Sequence, residues 1–148
     1  MDNCLALISR KKNLKLVTNE SKLMDKKMFD AGMAMRRQVV GDAHVDRSLA
    51  NATELDEEFQ QFVAEYAWGA VWTRPGLEKR DRSLLNLGML TALNRIPELK
   101  VHIRGAVNNG LSREEIREAL FQSAVYCGVP AALEAFRAAK AVFAELDD

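Results

Sequence analysis

The sequence predicts an all-α domain of about six helices, and three observations carry that prediction. Apolar residues recur at three- and four-residue spacing from Lys26 onward. Helix stop and start signals recur at Gly41, at Ser112 to Glu115 and at Gly128. No segment reads convincingly as a β-strand. The connections are short, which favours antiparallel neighbours.

Residues 1–23 lack sustained periodicity and are expected to form an N-terminal extension. Met24 and Met28 follow it as candidate starts, and residues 24–148 are expected to form one helical domain. Met28, Ala31, Met35 and Val39 fall near helical spacing, and Gly41 stops that helix. Asp42 to Leu49 reads as a short turn or helix carrying His44. Thr53 is the expected cap of a helix whose face is marked by Leu55, Phe59, Phe62, Val63 and Tyr66. Trp68 and Trp72 end that helix, and Thr73-Arg74-Pro75-Gly76 turns the chain.

From Glu78 to Arg95 the pattern is helical again, and Ser83 to Leu93 is apolar on nearly every side. Such a helix belongs in the centre of a domain or in a subunit interface. Gly88 within it costs roughly 1 kcal/mol against Ala, so close helix packing is expected there. Pro97 suits the first turn of the next helix, which ends near Asn108-Asn109-Gly110. Ser112-Arg113-Glu114-Glu115 is a capping box, in which hydroxyl and carboxylate satisfy backbone donors reciprocally. Gly128 closes that helix and Pro130 opens the last one.

The chain has 148 residues, 48% hydrophobic and 28% charged, which fits one globular domain with a sizeable core. Lys plus Arg and Asp plus Glu are 21 each, so the formal net charge is zero. A nucleic-acid binder would show a basic excess or stripe, and neither is present. Near-neutral charge on a small domain agrees with surface hidden in an oligomer. Two cysteines, Cys4 and Cys127, make no disulfide framework. The short apolar run from Leu5 to Ile8 precedes Arg10, Lys11 and Lys12, the reverse of a secretory signal. No window reaches the ~20 apolar residues of a membrane span, so a cytoplasmic protein without membrane partners is expected.

Few groups can do chemistry. His102 shares a helical face with Leu99, Ile103 and Ala106. A lone histidine there is more often a satisfied core residue, but an imidazole in an apolar pocket can also donate a proton or bind an anion. Cys127 follows Ile116, Leu120 and Ser123 along one face and is expected to point inward. It also precedes a helix N-terminus, where the dipole favours a thiolate. A Cys-x-x-Cys pair would signal redox chemistry, but Pro130 stands three residues on. Glu115 is a candidate carboxylate whose structural role is the capping box, about 18 Å along a continuous helix from Cys127. Arg82 opens the apolar run, where its guanidinium could hold a carboxylate bidentately. Arg104 lies about 200° from His102 around the helix and faces solvent or another helix. His44 and His102 offer no metal-ligand spacing, and no Gly-rich phosphate loop is present, so neither metal nor nucleotide cofactor is expected.

Seven stretches together carry a family resemblance. They are Asp30 to Arg37, Gly41 to Arg47, Trp72 to Gly76, Arg82 to Leu84, Glu98 to His102, Asn108 to Gly110 and Tyr126 to Ala131. In these the chain resembles the carboxymuconolactone decarboxylase family, from about Lys26 to Leu146. The resemblance implies an alkylhydroperoxidase-like helical fold and a ring-like hexamer. It also implies cofactor-free decarboxylation of 4-carboxymuconolactone to β-ketoadipate enol-lactone in the catabolism of protocatechuate, an aromatic compound. His102, Cys127 and Glu115 are then the catalytic candidates, and Arg82 the substrate-binding one. Single-cysteine thiol oxidoreduction and a non-catalytic helical oligomer are the alternatives.

Overall fold

The computed structural model describes residues 25–147, so the expectations for residues 1–23, Cys4 included, lie outside the described residues. Seven α-helices follow in order: α1 Lys26–Val40, α2 Asp42–Ala50, α3 Glu57–Val63, α4 Lys79–Ala92, α5 Ile96–Asn108, α6 Arg113–Cys127 and α7 Val129–Asp147. Between α3 and α4 the chain runs from α3 directly into a π-helical segment, Ala64–Trp72. Among the described residues there is no strand. The all-α expectation holds, with one helix more than expected.

The caps show why the helices begin and end where they do. Asp25 accepts from Met28 N at 3.0 Å and opens α1. Gly41 and Gly128 each close one helix and start the next, with φ of +86° and +92° and ψ near 149° and 146°. That backbone region is essentially closed to residues with a Cβ. Ser112 and Glu115 form the expected capping box at the start of α6. Thr53 behaves differently from expectation. Its backbone N and Oγ1 both donate to Asp56 Oδ1 at 2.8 Å, so it shapes a turn and the helix opens later, at Glu57.

Two buried clusters divide the interior. The larger joins α4 to α7 through Leu87, Leu99, Ile103, Ile116, Leu120 and Val142. The smaller joins α1, α2 and the π-helical segment through Val39, Val40, Val45, Trp68 and Trp72. Two asparagines at the end of α5 fasten it to α1 in the other half and to α4 in its own. Asn108 Nδ2 donates to Val39 O at 3.0 Å, while Asn109 Nδ2 donates to the buried Ser83 Oγ at 2.9 Å. The apolar face foreseen on α3 is not core: Leu55, Phe59 and Tyr66 are 94%, 61% and 60% exposed. In α4, Ser83, Leu87 and Thr91 are buried, whereas Leu84, Leu85 and Met89, with Leu93 just past its end, are exposed. That helix is therefore core on one side and open on the other.

Close approach of backbones occurs where α1 crosses the π-helical segment. A Cβ on Gly32 would overlap the Ala64 carbonyl oxygen and stand 2.7 Å from Gly69 N. A Cβ on Gly69 would overlap Met28 O. Gly88, in contrast, has room: a Cβ there would meet only Ser123 Oγ, at 3.8 Å. Its expected close packing is absent, and it lines an open groove instead. Denaturant unfolding at matched protein concentration is expected to separate the two glycines. Gly32→Ala loses about 3 kcal/mol through overpacking against rigid backbone. Gly88→Ala is neutral or gains up to about 1 kcal/mol from helix propensity.

Candidate active site

His102 sits on α5 at the seam between the two clusters. Its neighbours Leu99, Ile103 and Ala106 are fully buried in the larger cluster, and Val101 packs against the smaller one. The imidazole meets a wall of two indoles, Trp68 and Trp72, which are 7% and 9% exposed. Their ring centroids lie 5.1 Å apart and stand 6.3 and 6.2 Å from that of His102, with interplanar angles to it of 11° and 13°. The spacing of four residues aligns the two indoles along the widened π-helical turn, a feature often found at functional sites. The far end of that turn is held by Thr73 Oγ1, which donates to Gly69 O.

Asn86 on α4 places its amide nitrogen 3.3 Å from His102 Nδ1. Arg82 precedes Asn86 by one helical turn and so shares its face of α4. The Arg82 Nη2 donates to Arg74 O at 2.9 Å, while its Nε is buried and has no partner. This guanidinium thus retains donors for a ligand, as a carboxylate holder requires.

Burial, assisted by the positive field of His44, pushes the His102 pKa down from 6.5 to about 4, with Glu98 opposing weakly. The ring is therefore neutral at pH 7. His44, half-buried on α2, is itself lowered, first by burial and then by Arg36, Arg47 and Arg104. The two histidines are distant in sequence but share one electropositive region. Arg104 reaches the neighbouring helix α7, where it pairs with Glu145.

The other two expected catalytic residues stand apart from this site. Glu115 completes its capping box and pairs with Arg80, and those hydrogen bonds, that from Ser112 N foremost, hold its carboxyl below the usual range. It borders a groove of about 700 Å³ between α4 and α6, whose lining includes neither His102, Arg82 nor Cys127. Cys127 is exposed at the last residue of α6, not inward-facing. Cys127 stays on the face of α6 that buries Ile116, Leu120 and Ser123, but that face is covered only as far as Ser123, and Val125 and Tyr126 beside Cys127 are exposed too. Trp68, Trp72 and Asn86 were not singled out from the sequence as site residues. The four-residue spacings Trp68 to Trp72 and Arg82 to Asn86 are the signals that could have found them. Among the described residues, no three His, Cys, Asp or Glu side chains come together as a metal-holding group.

The structure is that of a helical protein in which a neutral histidine meets two indoles and an amide, with a guanidinium one turn before that amide. Three relatives narrow the class. A 4-carboxymuconolactone decarboxylase of Acinetobacter baylyi is 39% identical over 122 residues, 82% of this chain and 91% of that protein. A nitrosuccinic acid decarboxylase of Metarhizium robertsii is 45% identical over 112 residues, 76% of this chain and 78% of that protein. A 4-carboxymuconolactone decarboxylase of Pseudomonas putida is 47% identical over 45 residues, 30% of this chain and 94% of that protein. The class is a carboxy-lyase. Residues 57–141 match the carboxymuconolactone decarboxylase family, and the chain belongs to it.

The neutral, depressed histidine has a consequence for stability. Between the unfolded pKa of 6.5 and the folded value of about 4, the unfolded chain binds a proton at His102 that the folded chain does not. Stability from this group is therefore full above pH 6.5 and falls as the pH drops toward 4, by an amount on the order of 3 kcal/mol. Denaturant midpoints of the wild type are expected to fall across that window more steeply than those of His102→Gln. Parallel profiles would show that His102 is not held neutral.

Proposed function

We propose that this chain decarboxylates 4-carboxymuconolactone to β-ketoadipate enol-lactone, without cofactor, in the cytoplasm, as a step of protocatechuate catabolism. The observation that carries the reading is the neutral imidazole of His102, backed by two indoles and contacted by Asn86, with Arg82 one helical turn before Asn86 on α4. It is supported by a relative named for this reaction that aligns over most of both chains.

The substrate is a dianion whose departing carboxylate sits on the ring carbon bonded to the ring oxygen. A ring double bond links that carbon to the lactone carbonyl. When the bond to CO2 breaks, its electron pair moves through the double bond onto the carbonyl oxygen, giving an oxyfuran-like dienolate. Protonation by water next to the carbonyl, on the ring face away from the indoles, completes the enol-lactone. Nitrosuccinate, named for the fungal relative, offers the same logic, with a nitro group as the sink for electrons leaving a dicarboxylate. In both, the substrate supplies its own electron sink.

The residues then have limited tasks. Arg82 holds one carboxylate with its free donors. His102 donates an N–H hydrogen bond to the oxygen where negative charge develops, a role suited to a neutral imidazole. One such preorganised donor is worth roughly 3 kcal/mol in the transition state. Trp68 and Trp72 keep water off that face, which strengthens the hydrogen bond. The exposed apolar residues Leu84, Leu85 and Met89 on α4, with Leu93 just past its end, support the hexamer implied by the family, which sedimentation would read.

An ultraviolet and CO2-release assay on lactone generated in situ tests the reading. The expected result is rapid turnover without added metal or thiol. No turnover by folded protein would overturn the substrate assignment. His102→Gln is expected to lower kcat about a hundredfold. Arg82→Gln is expected to raise KM at least about tenfold, the loss of a charge-assisted contact. Cys127→Ser is expected to retain near-full activity, which separates this reaction from thiol oxidoreduction.

A further inference from the structure

We infer that Asn86 is a positioning residue that selects the tautomer of His102, so that Nε2, and not Nδ1, carries the proton offered to substrate. The inference rests on the reading above, in which His102 is the hydrogen-bond donor of the decarboxylation. Its starting point is geometric. The amide nitrogen of Asn86 lies 3.3 Å from His102 Nδ1. An amide nitrogen has hydrogens to donate and no accepting lone pair, so Nδ1 must present its lone pair to it. In a neutral imidazole the proton then resides on Nε2.

The surroundings make that choice matter. Trp68 and Trp72 lie nearly parallel to the imidazole and fix its plane, and the Asn86 contact to Nδ1 fixes which of its edges is turned toward substrate. Neither indole ring contact satisfies a ring nitrogen. With Nδ1 occupied by Asn86, Nε2–H is the ring donor left for a ligand. If the tautomer were reversed, Nδ1–H would face the amide hydrogens and Nε2 would offer a lone pair to a developing anion. That arrangement repels the dienolate oxygen that it should stabilise.

Asn86 itself is placed by the fold. It lies on α4 between the buried residues Ser83 and Leu87, and Ser83 is pinned from the end of α5 by Asn109 at 2.9 Å. The register of α4 against α5 is thereby set one turn away from the amide. The same face of α4 carries Arg82, so one helix orients both the substrate carboxylate holder and the histidine.

Nitrogen-15 NMR of histidine-labelled protein at pH 7 tests this without any substrate. The wild type is expected to show His102 as a single neutral tautomer protonated at Nε2. Asn86→Asp replaces the donor with an acceptor, and the proton is expected to move to Nδ1. Asn86→Leu is expected to give a mixture of the two neutral tautomers. In the decarboxylation assay Asn86→Asp is expected to lose kcat by more than tenfold, and Asn86→Leu only about two- to fivefold, in proportion to the fraction of ring in the wrong tautomer. A wild-type ring protonated at Nδ1, or a tautomer unchanged in both variants, would overturn the inference. If the tautomer shifts as expected while wild-type protein fails to turn over the lactone, the inference about Asn86 stands and the substrate assignment falls.

Discussion

The crossing of α1 over the π-helical segment is the constraint on which the rest of the site depends. Gly32 and Gly69 allow two backbones to approach so closely that a single added methyl on either would collide with main-chain atoms. Main chain cannot swing aside as a flexible side chain can, so this contact sets the depth and rotation of the segment as a rigid unit. Trp68 and Trp72 flank Gly69 on that segment, and their indoles reach across to His102 on α5. The histidine's environment is thus decided by a glycine contact made on the other side of the wall.

The electrostatics follow from that packing. An imidazole against two indoles loses much of its hydration, and the nearby positive charge of the α2 side adds to the penalty on protonation. The result is a neutral ring at physiological pH. Such a ring is a poor acid but a good oriented donor, and an oriented donor is what a reaction with an internal electron sink needs. Glu98 opposes the penalty on protonation only weakly, and other carboxylates are paired elsewhere: Glu115 is bonded to Ser112 and Arg80, Asp147 to Arg113, and Glu145 to Arg104. Those pairs join helix ends, and they leave the imidazole with a polar contact to an amide.

Much of the fold was legible in the sequence because its signals are local. Glycines with positive φ, the capping box and the proline in the first turn of α5 act over a few residues, and each helix boundary near them was foreseen to within a few positions. Thr53 shows the limit: a capping residue three positions before an acidic residue was read as a helix start, but Asp56 captured both its donors in a turn. The π-helical segment was illegible, since the spacing of apolar residues in Ala64–Trp72 does not distinguish a widened turn from an α-helical one. The site was half legible. His102 and Arg82 stood out as isolated chemical groups, whereas Asn86 is an ordinary residue until α5 brings the imidazole to it. Cys127 and Glu115 drew attention by residue type, and their positions at helix ends give each a different place in the molecule.

The central claim is that His102 stabilises negative charge that exists only after the bond to CO2 begins to break. Calorimetric binding of two unreactive ligands would test it most directly. One is 5-(carboxymethyl)furan-2-carboxylate, a planar ring with an anionic oxygen beside the position of the dienolate oxygen. The other is the saturated lactone dicarboxylate, whose carbonyl oxygen stays neutral. His102→Gln is predicted to weaken the planar ligand about a hundredfold while changing the saturated one less than about threefold, since only the first resembles the charged state. Equal weakening of both ligands, or of neither, would contradict the account.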